Sequence, residues 1–171
     1  MSYETTKQEI DAAEFELISR GLSAKVIGIA TRVLSENGYY GIDACADAPS
    51  TYEELCVQVG EDRLHGNRLF KVWNGASDRT IYQNPVANFA ARAWHDLMHV
   101  TKEMDFGDKN ETDIGFMQCL EPSLTKIESM CVYFDVAGQC VHKTLFGDFP
   151  VDQRGFVIAC LNAGRTVHTK F

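Results

Sequence analysis

Two histidines that stand one helical turn apart are the residues of this chain best suited to chemistry. His95 and His99 lie in residues 91–99, which read ARAWHDLMH. Residues four apart on a helix project from the same face, so the two imidazoles can approach one ion. Because imidazole is the commonest metal ligand in proteins, the pair predicts half of a metal site.

Acidic and imidazole side chains downstream can complete that site. Glu111, twelve residues after His99, is the predicted third ligand, with Glu128 and His142 as more distant candidates. Nitrogen and carboxylate ligands together suit zinc, manganese or iron, and also nickel or cobalt, rather than calcium. We therefore predict one divalent transition metal, held by His95 and His99 with Glu111 or Glu128.

A metal ion in this setting indicates hydrolysis. It would lower the pKa of a bound water toward neutrality and supply a hydroxide nucleophile. Asp135 or Glu128 is the candidate general base. Arg92, one turn before His95, would bind an anionic group of the substrate. The sequence thus predicts a metal-dependent hydrolase of a small anionic substrate, of the phosphoester or nucleotide type.

Two polar stripes on otherwise apolar helices must meet for this site to exist. The first lies on a predicted helix over 85–104, the second on a predicted helix over 123–145. Their members are Asn88, Arg92, His95 and His99 on one, and Glu128, Asp135, Gln139 and His142 on the other. Both stripes could be solvated faces. Neither contains lysine, however, and a polar stripe on a buried helix needs partners or a cavity.

Three known site types are weighed against these residues. Residues 95–99 resemble the His-Glu-x-x-His helix of zinc peptidases, with Asp96 replacing the glutamate and Glu121 as third ligand. The His-Asp dipeptide also resembles that of the His-Asp phosphohydrolases, for which His65 and Asp135 could serve as further ligands. A dinuclear carboxylate site is the weakest option, since no Glu-x-x-His pair is present.

One further resemblance covers about the last ninety residues. The segment 81–99 resembles small, uncharacterised bacteriophage and prophage proteins that share an Asn-x3-Arg-x2-His-Asp-x2-His helix. The matching residues are Asn88, Arg92, His95, Asp96 and His99, then Asp105, Phe106 and Glu111, and later Gly138, Gln139, Phe149, Pro150, Gln153 and Phe156. Asn110 departs from that pattern, which has glycine before the glutamate. The resemblance implies a phage setting and no particular activity.

Composition limits the remaining possibilities. The chain has 171 residues, of which 45% are hydrophobic and 23% charged, which predicts one globular domain over 1–171. A net charge of −8 without a basic cluster disfavours nucleic-acid binding. No apolar run reaches membrane-spanning length, and no secretory signal is visible, so we expect a cytoplasmic protein, in the host cytoplasm if it is phage-encoded.

Two other function classes stay open. A non-enzymatic phage protein could bind and inhibit a host protein through its acidic surface. A sequestering protein would have the pocket without a metal. The six cysteines form no Cys-x-x-Cys pair, which argues against a structural zinc knuckle.

The elements that must position the site are mostly helices. Apolar periodicity and capping residues predict helices over 8–19, 24–36, 51–59, 85–104, 111–120, 123–145 and about 148–163. Residues 69–73 and 80–82 have strand composition and suggest a β-hairpin, while the stretch to about residue 50 is predicted as loop. Trp73 and Trp94 are expected in the core. The predicted fold is mainly α, a compact helical bundle-like single domain with a small hairpin.

Overall fold

One uninterrupted helix, α1 (Ala12–Glu36), opens the part of the chain that the computed structural model describes, residues 9–167. The Asp11 carboxylate caps α1 by accepting a hydrogen bond from the Glu14 amide at 2.8 Å. The prediction of two helices separated at Gly21 is wrong. Glycine inside a helix costs about 1 kcal/mol, but a Cβ at Gly21 would lie 3.0 Å from the Glu128 carboxylate. Close packing therefore explains a glycine here.

The β element is a parallel pair and not a hairpin. Strand β1 (Gly41–Cys45) pairs with β2 (Leu69–Trp73), with Gly41 opposite Leu69. Helix α2 (Tyr52–His65) connects them, because parallel strands need a crossover between their ends. The predicted loop before residue 50 contains β1. The predicted second strand, residues 80–82, has no strand structure; it is buried against α1, where Ser19 donates a hydrogen bond to the Ile81 carbonyl at 2.7 Å.

The helices that carry the predicted site begin close to where the sequence indicated. Helix α3 (Pro85–Lys102) is capped by Asn84, whose side chain accepts a hydrogen bond from the Ala87 amide at 3.0 Å. Helix α4 (Asp108–Cys119) follows after a short turn. The prediction of the histidine helix is confirmed by these bounds.

The predicted long helix over 123–145 is interrupted by a π-helical turn. Helix α5 (Lys126–Tyr133) leads into a π-helix (Phe134–Gly138), and α6 (Gln139–Phe146) continues from it. Helix α7 (Gln153–Val167) ends the described chain. A π-turn holds one residue more than an α-turn, so side chains before and after it no longer follow a single α-helical wheel.

Helix α3 lies between two groups of buried apolar residues. Ala87, Ala90 and Trp94 pack with α1, α5 and α7. Ala93 and Leu97, on another side of α3, pack with α2 and the two strands. The expectation that Trp94 lies in the core is confirmed, since it is 4% exposed; the same expectation for Trp73, which is 50% exposed, is wrong.

The architecture is mainly α with one small two-stranded sheet, as the sequence predicts. Among residues 9–167, no helix is both long enough and apolar enough to cross a bilayer.

Candidate functional site

His99 is held in one orientation by the turn that ends α3. Its ring is 0% exposed, and its Nδ1 lies 2.9 Å from the Met104 carbonyl oxygen. Glu103, with a φ of 55°, reverses the chain so that Met104 returns to His99. Because a carbonyl oxygen only accepts hydrogen bonds, Nδ1 carries a proton. In the neutral ring, Nε2 then presents a lone pair.

That lone pair faces two other ligand-type groups. Nε2 of His99 lies 3.0 Å from Nε2 of His95 and 3.6 Å from Oε1 of Glu111. Nε2 of His95 lies 3.0 Å from Oε2 of Glu111. The other nitrogen of His95 donates to the Gln118 amide oxygen at 3.0 Å. Two imidazoles and a carboxylate therefore point at a common centre.

Glu111 reaches this centre from α4, which the preceding turn aligns. The Asp105 carboxylate accepts hydrogen bonds from the Gly107 amide at 2.9 Å and from the Asn110 side chain at 2.7 Å. Phe106, in the same turn, packs edge-on against the His99 ring with centroids 4.9 Å apart. The turn thus orients a histidine on one side and a carboxylate on the other.

Electrostatic interactions within this group of three side chains stabilise a protonated His95 and an ionised Glu111. Burial acts to lower the pKa of His95, but the hydrogen bond and charge of Glu111 outweigh it and raise the pKa to about 9. Burial acts to raise the pKa of Glu111, yet its contacts with His95 and His99 hold that pKa well below its usual range. A cation at the centre, whether a proton on His95 or a metal, relieves the repulsion between the lone pairs.

The spacing of these atoms suits a metal ion. The ligand atoms of His95, His99 and Glu111 lie within 4.8 Å of one another. A tetrahedral ion with bonds of about 2.0–2.1 Å would separate its ligand atoms by about 3.3–3.4 Å, close to the observed 3.0–3.6 Å. The three side chains, which we call the His95–His99–Glu111 triad, can hold a metal ion.

A cavity of about 430 Å³ borders the triad at His95 and Glu111. Its walls come from α3, α4 and the region of the π-helix. Its polar lining includes Asn88, Arg92, Gln118, Asp135 and Gln139. Members of both predicted polar stripes therefore meet in one cavity.

Asp135 is the acidic group of the π-helix in this cavity. Its carboxylate accepts a hydrogen bond from the Gln139 amide at 2.8 Å and another from the Tyr82 hydroxyl. Burial raises the pKa of Asp135 to about 7, although Gln139 and the positive charge of Arg92 act in the opposite direction. A carboxyl group with this pKa can accept and release a proton near neutral pH.

Arg92 lines the cavity from the same face of α3 as His95. Its guanidinium donates to the backbone carbonyls of Trp73 and Ala76 and stacks over the Trp73 ring at 5.0 Å from the centroid. No carboxylate forms an ion pair with Arg92 among the described residues. Neutral groups hold the guanidinium in position, while the charges of Asp96 and Asp135 act on it from beyond ion-pair distance.

Two predicted site residues lie away from the triad. Glu128 caps α5 through Thr125 and accepts a hydrogen bond from Lys25 at 2.5 Å. His142 hydrogen-bonds the Asp148 carbonyl oxygen at 2.9 Å and packs beside Phe146. Glu128 precedes the π-helix and His142 follows it, which explains why a regular helical wheel misaligned them with Asp135.

The residues proposed for other site types also lie elsewhere. Glu121 pairs with Arg32 at 2.8 Å, outside the triad. His65 is exposed at the end of α2 and contacts the Glu61 carbonyl at 3.0 Å. Asp96 is half-buried and has no hydrogen bond to either histidine in the described chain, although burial raises its pKa to about 6.

Gln118 is the site residue that sequence reasoning missed. It is 2% exposed and fixes His95 through its amide oxygen. It follows Glu111 by seven residues, so both lie on one face of α4. That periodicity was a usable signal, but glutamine is not a typical metal ligand.

Comparison of the chain with protein-family models, with curated proteins and with solved structures gives no significant match. The resemblance to phage proteins therefore stays a prediction, and the site is interpreted from its geometry.

Proposed function

We propose that this protein is a metal-dependent hydrolase of a small anionic substrate of the phosphoester class. The observation that carries the proposal is the convergence of two imidazoles and a carboxylate beside a cavity that also contains Asp135 and Arg92. Metal-binding histidines usually donate their second ring nitrogen to a carbonyl or carboxyl oxygen, as His99 does to Met104.

The metal in this proposal is a divalent transition ion. Two imidazoles and one carboxylate suit zinc, with manganese and ferrous iron as the other candidates. A set of three protein ligands leaves a coordination position for water or substrate. The ion would lower the pKa of a bound water toward 7 and polarise a phosphoryl oxygen.

Asp135 is the proposed general base. Hydrolysis consumes one water: its oxygen bonds to phosphorus, and the bond from phosphorus to the leaving oxygen breaks. The proton that Asp135 accepts from the water passes to the leaving oxygen. Its pKa of about 7 supports both transfers. Glu128, the alternative base, lies outside this cavity and has no role in the proposal.

Arg92 is the proposed anion-binding residue. A guanidinium presents several donors in a plane and pairs well with phosphate or carboxylate oxygens. Held by the Trp73 and Ala76 carbonyls, it would orient the substrate without moving to meet it. This leaves a small anionic molecule as the proposed partner.

Metal content tests the proposal directly. Tag-free protein, purified without chelators, would be analysed by elemental mass spectrometry as wild type, His99→Ala and Glu111→Gln. His142→Ala is the matched control, because its imidazole lies outside the triad. We expect about one transition-metal ion per chain in wild type and control, and a loss of about ten-fold or more in occupancy in the two triad variants.

Two outcomes of these measurements would refute the metal site. One is wild-type protein that takes up neither zinc, manganese nor iron, and the other is a His99→Ala variant that keeps its metal. Circular dichroism would show whether each variant is folded. Without a metal, binding through the acidic surface would be the function class to test next.

Turnover tests the chemistry. Metal-loaded protein would be assayed on phosphomonoesters and phosphodiesters at pH 7. Asp135→Asn is expected to lower kcat about 100-fold or more, the usual contribution of a general base. Its metal content should be unchanged, and His142→Ala should retain full activity. Full activity in Asp135→Asn would exclude Asp135 as the base.

A further inference from the structure

A second cavity, which we call the outer chamber, adjoins the cavity beside the triad at Arg92. This outer chamber has a volume of about 610 Å³ and shares Arg92, Gln139, Phe149 and Gln153 with the inner cavity. Each volume falls within the roughly 300–1,000 Å³ typical of small-molecule sites. Because the two cavities share these residues, a ligand longer than a phosphate group can contact both of them.

Trp73 forms an aromatic wall of the outer chamber. It is the last residue of β2 and is 50% exposed. A Cβ at Gly75 would lie 2.2 Å from the indole, so any larger residue at this position would displace the ring. Arg92 covers part of the ring. The exposed indole is a fixed surface for a flat apolar group.

Phe149 provides a second aromatic surface in the same chamber and is 45% exposed. The side chain of Gln153, which lines both chambers, makes no hydrogen bond within the described chain. An amide can donate and accept at once. The chamber therefore combines aromatic faces with an amide that has no partner of its own.

Two arginines border this chamber, and the charges of Asp96 and Asp135 act on one of them, Arg92, from beyond ion-pair distance. Arg79 and Arg92 both line it, and neither forms an ion pair within residues 9–167. Asp78 also lines the chamber and forms no ion pair with either arginine there. In a chain of net charge −8, two such arginines at one cleft favour an anionic ligand.

We propose that the substrate is a nucleotide, whose phosphate lies between the triad and Arg92 and whose base lies against Trp73 and Phe149 in the outer chamber. This inference rests on the proposed function, because the metal supplies the inner end of the site. Every nucleobase has a π-face that stacks on aromatic side chains. The polar edge of a nucleobase can form hydrogen bonds with an amide such as that of Gln153.

Binding measurements distinguish a nucleotide ligand from simpler phosphates. Full-length, zinc-loaded protein would be titrated by calorimetry with adenosine monophosphate, ribose 5-phosphate and inorganic phosphate. Because base stacking on an aromatic residue is substantial, we expect the nucleotide to bind at least about ten-fold more tightly than ribose 5-phosphate. Equal affinities would overturn the proposal.

Substitutions in the outer chamber test where the nucleobase binds. Trp73→Ala and Phe149→Ala should each reduce the preference for the nucleotide over ribose 5-phosphate, and Phe149→Ala should leave phosphate affinity unchanged. Trp73→Phe, which keeps an aromatic face, should retain most of the preference. Tyr40→Ala removes an aromatic residue that is 79% exposed and lies outside both chambers, so it is the control. An undiminished preference in both Trp73→Ala and Phe149→Ala would contradict the proposal.

The failures of the two proposals are distinguishable. Metal uptake with hydrolysis of phosphoesters, but no preference for a base, would refute the nucleotide and leave the hydrolase. Tight nucleotide binding without metal uptake or turnover would refute the hydrolase and leave the nucleotide as a bound ligand that is not a substrate. Guanosine, cytidine and uridine monophosphates, titrated in parallel on wild type and Gln153→Ala, would show whether Gln153 selects among bases.

Discussion

A buried histidine needs a partner for each ring nitrogen, and for His99 a backbone carbonyl satisfies one of them while the triad faces the other. Met104 accepts from Nδ1, while Nε2 faces Nε2 of His95 at 3.0 Å and the Glu111 carboxylate at 3.6 Å. A proton on His95 or a metal cation at the centre of the triad therefore satisfies these groups, and a metal ion that binds there displaces the proton.

Gln118 affects how readily a metal ion displaces the proton at the centre of the triad. Its amide oxygen accepts from Nδ1 of His95 and directs Nε2 toward the triad. Outer partners of this kind are worth about 10–100-fold in metal affinity. We expect Gln118→Ala to weaken zinc binding by about ten-fold or more while one site per chain remains, as measured by competition with a chelating dye.

The control for this prediction is Gln153→Ala. Gln153 lines the same cavity but has no hydrogen bond to the triad. Its removal should leave zinc affinity unchanged. Equal zinc affinity in Gln118→Ala and wild type would mean that other contacts orient His95.

Asp135 should make stability depend on pH. Burial raises its pKa to about 7 in the folded chain, above the ordinary 3.8, against the effects of Gln139, Arg92, His95 and Tyr82. The folded state thus binds the proton more tightly than the unfolded state. This contribution to stability is fully present below about pH 4 and is lost as pH rises through about 7.

The side chain in Asp135→Asn cannot ionise, so this variant should not lose stability as pH rises through about 7. In metal-free protein at pH 8, we expect the variant to be more stable than wild type by about 1–2 kcal/mol, a modest figure because the carboxylate is half-buried. At about pH 3.5, where the contribution of the protonated carboxyl is present in full, the two should differ little. Urea unfolding at both pH values measures this, and a pH-independent difference would contradict it.

The triad was predictable because its spacing is local. His95 and His99 lie one turn apart on an α-helix, and Glu111 follows on the next helix along the chain. Glu128 and His142 were misassigned because their alignment with Asp135 assumed one regular helix. The π-turn between them depends on tertiary packing, which the spacing of residues in the sequence does not indicate.

At the scale of elements, close packing of α4 against the π-helix positions Asp135. A Cβ at Gly115 would lie 3.0 Å from the Ala137 backbone nitrogen and 3.0 Å from Val136. We expect Gly115→Ala to destabilise the protein by about 1–3 kcal/mol, since extra atoms in a packed interface force the backbone to move. Turnover should fall more than metal content, because Asp135 moves with the π-helix.

Gly60→Ala in α2 is the matched control. Its Cβ would meet no atom within 4 Å, so only the helix propensity changes. Alanine there should stabilise the protein by about 0.5–1 kcal/mol. Chemical denaturation compares the two variants. A Gly115→Ala variant as stable as Gly60→Ala would show that the α4 contact is not tight in solution.

Elements with local start and stop signals were predictable, and those set by distant packing were not. Asn84 and Pro85 start α3, and Thr51 with Glu54 forms the capping box of α2. The parallel pairing of β1 with β2 depends on α2 crossing between them. Composition alone cannot distinguish that arrangement from a hairpin.

At the scale of the whole molecule, a metal ion would link helices that otherwise meet through few side chains. His95 and His99 come from α3, which packs in both cores, while Glu111 comes from α4, which packs on the π-helix. Metal binding therefore couples the central helix to the part of the chain that contains Asp135. Such coupling should be visible in the stability of the entire fold.

An ion that binds only the folded state stabilises it by mass action. With free zinc at 100 times its dissociation constant, the free energy of unfolding should rise by about 2.7 kcal/mol. For a chain of this length, Tm should then increase by roughly 5–10 °C. Thermal unfolding followed by circular dichroism, with and without zinc, measures the shift. His142→Ala should show the same increase and His99→Ala almost none, each relative to its own metal-free Tm. An equal shift in His99→Ala would mean that zinc binds elsewhere, because that variant loses the ligand whose orientation the turn at Glu103 and Met104 fixes.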